Sequence, residues 1–148
     1  MEINYSPQPL GRLLSIVGKS FLAELNHNLS HLDIERNYYA LILIGEGKGR
    51  LTQQELAGKL MSDKVTMVRV IDYLSEKGYV KRVRMTDDHR KYGLVLTPKA
   101  EKELPEIKKA MKKVVSKALA GISEDRISEF LATLNDIKRN LNKQTVKL

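Results

Sequence analysis

Leu51-Thr52-Gln53-Gln54-Glu55-Leu56-Ala57 and, after a short gap, Ser62-Asp63-Lys64-Val65-Thr66-Met67-Val68-Arg69 decide the fold of this chain. Thr52 and Glu55 form a T-x-x-E capping box, with Leu51 and Leu56 as the hydrophobic staple around it. A short helix is therefore expected from Thr52 to about Leu60. Ser62-Asp63 offers a fresh N-cap at once, so a second helix should follow after a turn of only three residues, Met61-Ser62-Asp63. Its interior residues are expected to be Val65, Val68, Ile71 and Leu74, with Gly78 closing it at the C-cap position. Tyr79 to Met85 and Tyr92 to Thr97 then read as two β-strands, and Thr86-Asp87-Asp88-His89 supplies turn residues between them. Two short helices joined by a turn and followed by a basic hairpin are the sequence form of a winged helix-turn-helix.

Outward from this module the chain is helical. Leu10, Leu13, Leu14, Val17, Phe21, Leu25 and Leu29 keep the spacing of one helix face. Asp33 is expected to cap a helix carrying Tyr38, Leu41, Ile42 and Ile44, which should stop at the turn Gly45 to Gly49. Thr97-Pro98 is a cap-then-proline start for a fifth helix through Leu104, Ile107, Met111, Val114, Val115 and Ala118, with Pro105 expected to kink it. Gly121 ends that helix and Ser123 caps a sixth, with Ile127, Phe130, Leu131, Leu134, Ile137 and Leu141 on one face; the tail after Asn142 should fray. The expected fold is mainly α with one small antiparallel hairpin. Residues 1–148 form a single domain, in which 34–97 (core 51–97) make the winged helix-turn-helix. Segments 8–32 and 98–142 supply dimerisation helices, because their long apolar stripes exceed what a short central module can cover.

Composition agrees with a soluble globular protein: 148 residues, 42% hydrophobic and 30% charged. Met1-Glu2-Ile3-Asn4 lacks the basic start and apolar core of a signal peptide, no segment approaches a membrane span, and a cytoplasmic location is expected. The absence of cysteine excludes disulfides, thiolate metal sites and thiol redox switching. The net charge of +8 is unevenly placed. Residues 1–61 carry six basic and six acidic side chains, residues 62–99 nine against five, and residues 100–148 eleven against seven. Positive charge thus begins where the helix-turn-helix does, which points to a polyanion as partner.

The second helix of such a module places its N-terminal side chains at base edges in the major groove. The outward set is expected to be Lys64, Thr66, Met67, Arg69, Val70 and Tyr73, beside Ser62. Lysine and arginine donate to guanine acceptors, and the threonine methyl can meet the thymine methyl. The helix N-terminus also presents backbone N–H groups to phosphate. In the hairpin, Lys81, Arg82, Arg84, His89, Arg90 and Lys91 can follow the DNA backbone or enter a minor groove. Alternatively, the same charges belong to a solvated edge hairpin that resists aggregation. A carboxylate two residues before an arginine, Asp88 before Arg90, can hold the guanidinium by a charged hydrogen bond and so aim it.

These segments resemble the MarR family of bacterial regulators, in its SlyA-like branch. The likeness lies in Leu51 to Ala57, in Val65 to Val80 with Arg69, Leu74, Lys77 and Gly78, and in Asp88-His89-Arg90 followed by Leu94-Val95-Leu96-Thr97. The resemblance implies a homodimeric transcription regulator on double-stranded DNA, most often a repressor, with a near-palindromic operator. It implies that Lys64, Thr66 and Arg69 read bases or phosphates, that Arg90 is the wing-tip arginine in the minor groove, and that Asp88 is its structural support. It also implies a small aromatic or anionic effector ligand. Ala100 replaces a glycine common in the family, as in the SlyA-like branch, and Lys64-Val65-Thr66 departs from the commoner small or polar residues.

Other motifs carry less. Gly45-Glu46-Gly47-Lys48-Gly49-Arg50 fails both G-x-G-x-x-G and the P-loop pattern, and follows a helix, so it reads as a turn. His27 and His31 stand four apart and could pair on a metal, or lie at the surface or a dimer contact. Lys108, Lys109, Lys112, Lys113 and Lys117 form a basic helix face that is either solvated or meets phosphates or a partner subunit. No nucleophile–base arrangement is present, so no catalysis, cofactor or bound metal is expected. The competing function is a winged-helix protein-interaction module for an acidic partner.

Overall fold

A computed structural model describes residues 8–145, with side chains described through Asn142. The element order is α1 (Leu10–Leu29), α2 (Tyr38–Gly47), α3 (Gln53–Lys59), α4 (Lys64–Glu76), β1 (Val80–Arg84), β2 (Tyr92–Leu96), α5 (Pro98–Ala118) and α6 (Glu124–Thr145). This is the mainly α architecture with one hairpin that the sequence predicts. No helix among the described residues is long and apolar enough to cross a membrane. The backbone of α6 stays helical through Thr145, past the expected fraying point; residues 1–7 and 146–148 lie outside the described residues. The chain divides into two compact units inside α5, one up to Val114 and one from Val115 on.

The first unit has one core. Leu25 and Leu29 of α1, Leu41 and Ile44 of α2, Leu56 of α3, Met67, Ile71 and Leu74 of α4, Val80, Leu94 and Leu96 of the hairpin, and Ile107 of α5 are buried in it. Burying side chains of this size stabilises by about 1.5–3 kcal/mol each. The strands pair antiparallel from Val80↔Leu96 to Arg84↔Tyr92. A third segment joins them: Leu94 N donates to Leu51 O at 2.8 Å, so the residues before α3 lie along the free edge of β2. That approach is so close that a Cβ on Gly93 would stand 1.8 Å from the carbonyl oxygen of Gly49.

Three local expectations need correction. Asp33 does not cap α2. The N-cap position is Asn37, without a side-chain capping bond, and Asp33 sits in the preceding turn, bound to Tyr73 and Lys77. Second, α2 passes through Gly45 and stops at Gly47, where Lys48 turns left-handed at φ 49°. Third, the buried face of α4 is Met67, Ile71 and Leu74, while Val65 and Val68 are exposed. The reason is geometric. A row of strict three-residue steps rotates about 60° per step away from a helical stripe, so by Val65 it has turned about 120° from Ile71. Met67, Ile71 and Leu74, at i, i+4 and i+7, stay together.

Each unit leaves an apolar stripe uncovered. In the first, Leu10, Leu13, Leu14, Ile16 and Val17 of α1 are exposed, and in the second Phe130, Leu131 and Leu141 of α6. α5 runs unbroken through Pro105 and starts under Thr97, whose hydroxyl accepts from Ala100 N and donates to Gly78 O at 2.6 Å.

Candidate nucleic-acid interface

The site is built on three helix ends. Thr52 Oγ1 accepts from Glu55 N at 3.1 Å and Thr52 N donates to Glu55 Oε1 at 3.4 Å, so the capping box starts α3 as expected. Leu60 ends it, and Ser62 N→Ala57 O with Met61 N→Gly58 O closes a Schellman turn. The left-handed position of that turn holds Met61, at φ 50°, where glycine is the unstrained choice. The turn delivers Asp63 to the start of α4. There its carboxylate accepts from both Thr66 N and Thr66 Oγ1, each at 2.7 Å. Those bonds, the backbone one foremost, hold the Asp63 carboxyl below its usual range. The expected phosphate seat on the α4 amides is thus partly taken, because Thr66 N–H already has a carboxylate.

The front of α4 presents Lys64, Val65, Val68 and Arg69 to solvent, with Thr66 and Ser62 half-buried. Met67, expected among the outward residues, is 2% exposed and belongs to the core. Tyr73 turns its hydroxyl away: Oη donates to Asp33 Oδ1 at 2.8 Å. Burial, and next this hydrogen bond, pushes the Tyr73 hydroxyl up to about 12. Lys77 Nζ reaches Asp33 Oδ2 at 3.0 Å, and the two donors keep the Asp33 carboxyl low, Tyr73 more than Lys77. Tyr73 therefore ties the turn before α2 to the back of α4.

The arginines of the hairpin have separate settings. Arg82 Nη2 donates to Asp72 Oδ1 at 2.8 Å and Gln53 Oε1 at 3.1 Å, tying β1 to α4 and α3. Arg84 Nη2 donates to its cross-strand partner Tyr92 Oη at 3.0 Å, with the guanidinium carbon 5.5 Å from the ring centre. Lys81 on β1 is exposed, as are His89 and Lys91 beyond the strands. At the tip, Asp88 Oδ1 accepts from Arg90 N and Nε, both at 3.1 Å, and Oδ2 from Nη2 at 3.4 Å. The Arg90 side chain is 91% exposed while Asp88 is at 27%, so the carboxylate is the anchor and the guanidinium the projecting group. This pairing, the side-chain contact first, lowers the Asp88 carboxyl.

A model of the MarR family matches residues 36–92, the stretch from two residues before α2 to the start of β2. The transcriptional regulator PA3341 is 31% identical, covering 91% of this chain and 99% of its own, with a TM-score of 0.78. The chain belongs to the MarR family. Its fold is also that of the transcriptional regulator SlyA, at 22% identity, 93% and 96% coverage and a TM-score of 0.84. A MarR-family regulator from Listeria monocytogenes, solved in complex with a 26mer DNA, matches at 21% identity, 93% and 91% coverage and a TM-score of 0.82.

Within this MarR-family chain, a cavity of about 660 Å³ opens between α3 and α4, lined by Gln53, Gln54, Ala57, Gly58, Ser62, Lys64 and Met67. Two others, of about 500 and 310 Å³, share Glu35 and Asn37. The larger includes Asn26, Ser30 and Arg36; the smaller includes Thr66, Arg69 and Tyr73. Among the described residues no group of three or more His, Cys, Asp or Glu side chains is placed to hold a metal ion, and His31 instead meets Glu106 of α5 at 2.5 Å. Sequence reading missed Val65 and Val68 as surface residues, and missed the supporting roles of Asp72, Gln53, Tyr92 and Asp33. Their partners lie 8 to 40 residues away, beyond the reach of local spacing rules.

Proposed function

We propose that this chain is a transcription repressor that binds double-stranded DNA sequence-specifically as a homodimer on a near-palindromic operator in the cytoplasm. The observation that carries the reading is Arg90, held outward by Asp88 on a wing that Arg82 ties to the recognition helix α4. Arginine projecting from a hairpin tip suits the negative potential of a narrow minor groove. In this reading Lys64 and Arg69 contact bases or phosphates and Thr66 offers its methyl. Ser62, Lys81, His89 and Lys91 contact the backbone, and Arg84 follows on the hairpin shaft. The uncovered stripes of α1 and α6 support a second copy of the chain as partner, which would set two α4 helices about 34 Å apart. A small aromatic or anionic effector would release the DNA only by favouring a spacing that DNA does not.

Salt titration of the binding tests this. If each subunit neutralises about four phosphates, the slope of log affinity against log salt is near −7 for the dimer. Arg69→Ala and Arg90→Ala should each weaken binding and make the slope shallower. A slope near zero refutes DNA binding and favours an acidic protein partner, and unchanged affinity in both variants refutes the DNA contacts given to Arg69 and Arg90.

A further inference from the structure

We propose that Val65 and Val68 are specificity residues that read thymine, each seating the C5-methyl group of a thymine in the major groove of the operator. The inference rests on the DNA-binding function proposed above and goes beyond it by naming what the front of α4 recognises.

Exposure is the first observation. Val65 is 71% exposed and Val68 37% exposed, on a helix whose buried stripe is Met67, Ile71 and Leu74. With about 100° between successive residues, Val65 lies nearly opposite the centre of that stripe, beside Arg69 one turn on, and Val68 lies at the rim next to Lys64. Two aliphatic side chains and two cations thus make one continuous outward arc, with the cations at phosphate or guanine reach and the valines between them.

The second observation is a broken local rule. Val65, Thr66, Val68 and Val70 put four β-branched residues into six positions at the start of a helix. Such residues lose χ1 freedom in helices, and outward positions ordinarily carry unbranched polar side chains. The core explains Val70, which packs against it, and the N-cap explains Thr66. Neither explains Val65 or Val68. Positions where a sequence breaks a local preference without structural return are where function is expected.

The third observation narrows the chemistry. The hydroxyl proton of Thr66 is given to Asp63, so that side chain has no hydroxyl donor left to offer a base. Met67 is in the core and Tyr73 is bonded to Asp33. What remains at the front of α4 is two cations and an apolar surface of branched methyls. Among the four base pairs only those with thymine carry a methyl in the major groove, so an apolar reading surface selects thymine.

The experiment selects bound sequences from random duplex DNA with the full-length protein, then resynthesises the recovered site with uracil in place of each thymine in turn. Uracil removes the methyl and changes nothing else on the pairing or groove edges. Affinity should fall about fourfold for each methyl that a valine covers, the equilibrium factor for burying one such group. Val65→Ala and Val68→Ala should each abolish that loss at one position, while their unfolding transitions stay close to that of the unaltered protein. A recovered site bound equally well with uracil throughout overturns the proposal and leaves DNA binding standing. A uracil effect that persists in both valine variants also overturns it, because another group then reads the methyl. Recovery of no sequence at all overturns both this proposal and specific DNA binding.

Discussion

Replacing Gly93 by alanine should detach the wing from the body of the module. A Cβ at this position would stand 1.8 Å from Gly49 O and 2.9 Å from Gly49 C, whereas real Cβ atoms essentially never come within 3.0 Å of a neighbour. The two segments must therefore part by about 1.2 Å, and since both atoms at fault belong to the backbone, no side-chain rotation relieves the clash. Next to it, Leu94 N donates to Leu51 O at 2.8 Å. Parting the segments by that amount stretches this bond to about 4 Å, outside hydrogen-bonding range. Leu51 and Leu94 are both buried, so the separated N–H and C=O are left without water. An unsatisfied buried pair costs about 1–3 kcal/mol, and forcing apart a packed interior costs about another 1–3 kcal/mol. Alanine recovers part of this, about 0.4–1 kcal/mol, by restricting the unfolded chain. The net loss should be about 1–5.5 kcal/mol, a large share of a typical domain's stability. Urea unfolding followed by circular dichroism at fixed protein concentration measures it. With an m-value of about 2 kcal/mol/M the midpoint should fall by about 0.5–2.8 M. A loss below about 1 kcal/mol would refute the reasoning, since it would mean that the edge contact with Leu51 yields without cost.

Met61→Gly should stabilise the fold by about 0.5–1 kcal/mol, because the left-handed Schellman position costs an L-residue about 1–2 kcal/mol and glycine returns part of that as unfolded-state entropy. Thermal unfolding of the variant checks it, and a lower midpoint would count against the turn geometry. Tyr73, desolvated by burial and donating its hydroxyl proton to Asp33, should ionise near pH 12 instead of 10. The folded value lies above the unfolded one, so the stabilisation from this contact is complete below pH 10 and is lost as pH rises from 10 to 12. An ultraviolet absorbance titration should lose one late-ionising tyrosine near pH 12 in Tyr73→Phe, while Tyr79, which burial holds higher still, remains. An unchanged amplitude near pH 12 in that variant would assign the ionisation elsewhere.

How much of the fold was legible depended on how local its causes are. The capping box of α3, the Asp63 cap of α4, the Gly78 exit and the Thr97-Pro98 entry to α5 are each complete within a few residues, and all four appear where the sequence places them. The third segment along β2 was not legible. It joins Leu51 to Leu94 across 43 residues, and the glycine that permits it, Gly93, reads in sequence as an ordinary weakness in a strand. The register of α4 failed for a different reason. Val65, Val68, Ile71 and Leu74 fit an i+3 row as readily as Met67, Ile71 and Leu74 fit the i+4, i+7 stripe. Counting apolar residues cannot choose between rows that share two members. Packing chooses, since only the second row stays on the side of the helix that meets the core.

The wing arginines carry the same argument into the site. In composition Arg82, Arg84 and Arg90 are three equal charges within nine residues, and the sequence offers no ground for ranking them except the carboxylate two positions before Arg90. Three-dimensional partners rank them. Arg82 is held by Asp72, ten residues away, and Gln53, 29 away. It cannot turn to a phosphate without giving up its bonds to Asp72 and Gln53, so in a DNA complex its charge is felt through the field more than by contact. Arg84 lies on Tyr92, which fixes its direction but keeps its remaining donors available. Arg90 alone is held by a partner so close in sequence that the pair moves as one unit with the tip. Asp88 thus orders the guanidinium before any ligand arrives. Part of the side-chain entropy that a free arginine would lose on binding has been lost in folding. An anchored, outward arginine is cheaper to bind with than a mobile one, so a carboxylate beside it does not imply weak attraction for DNA.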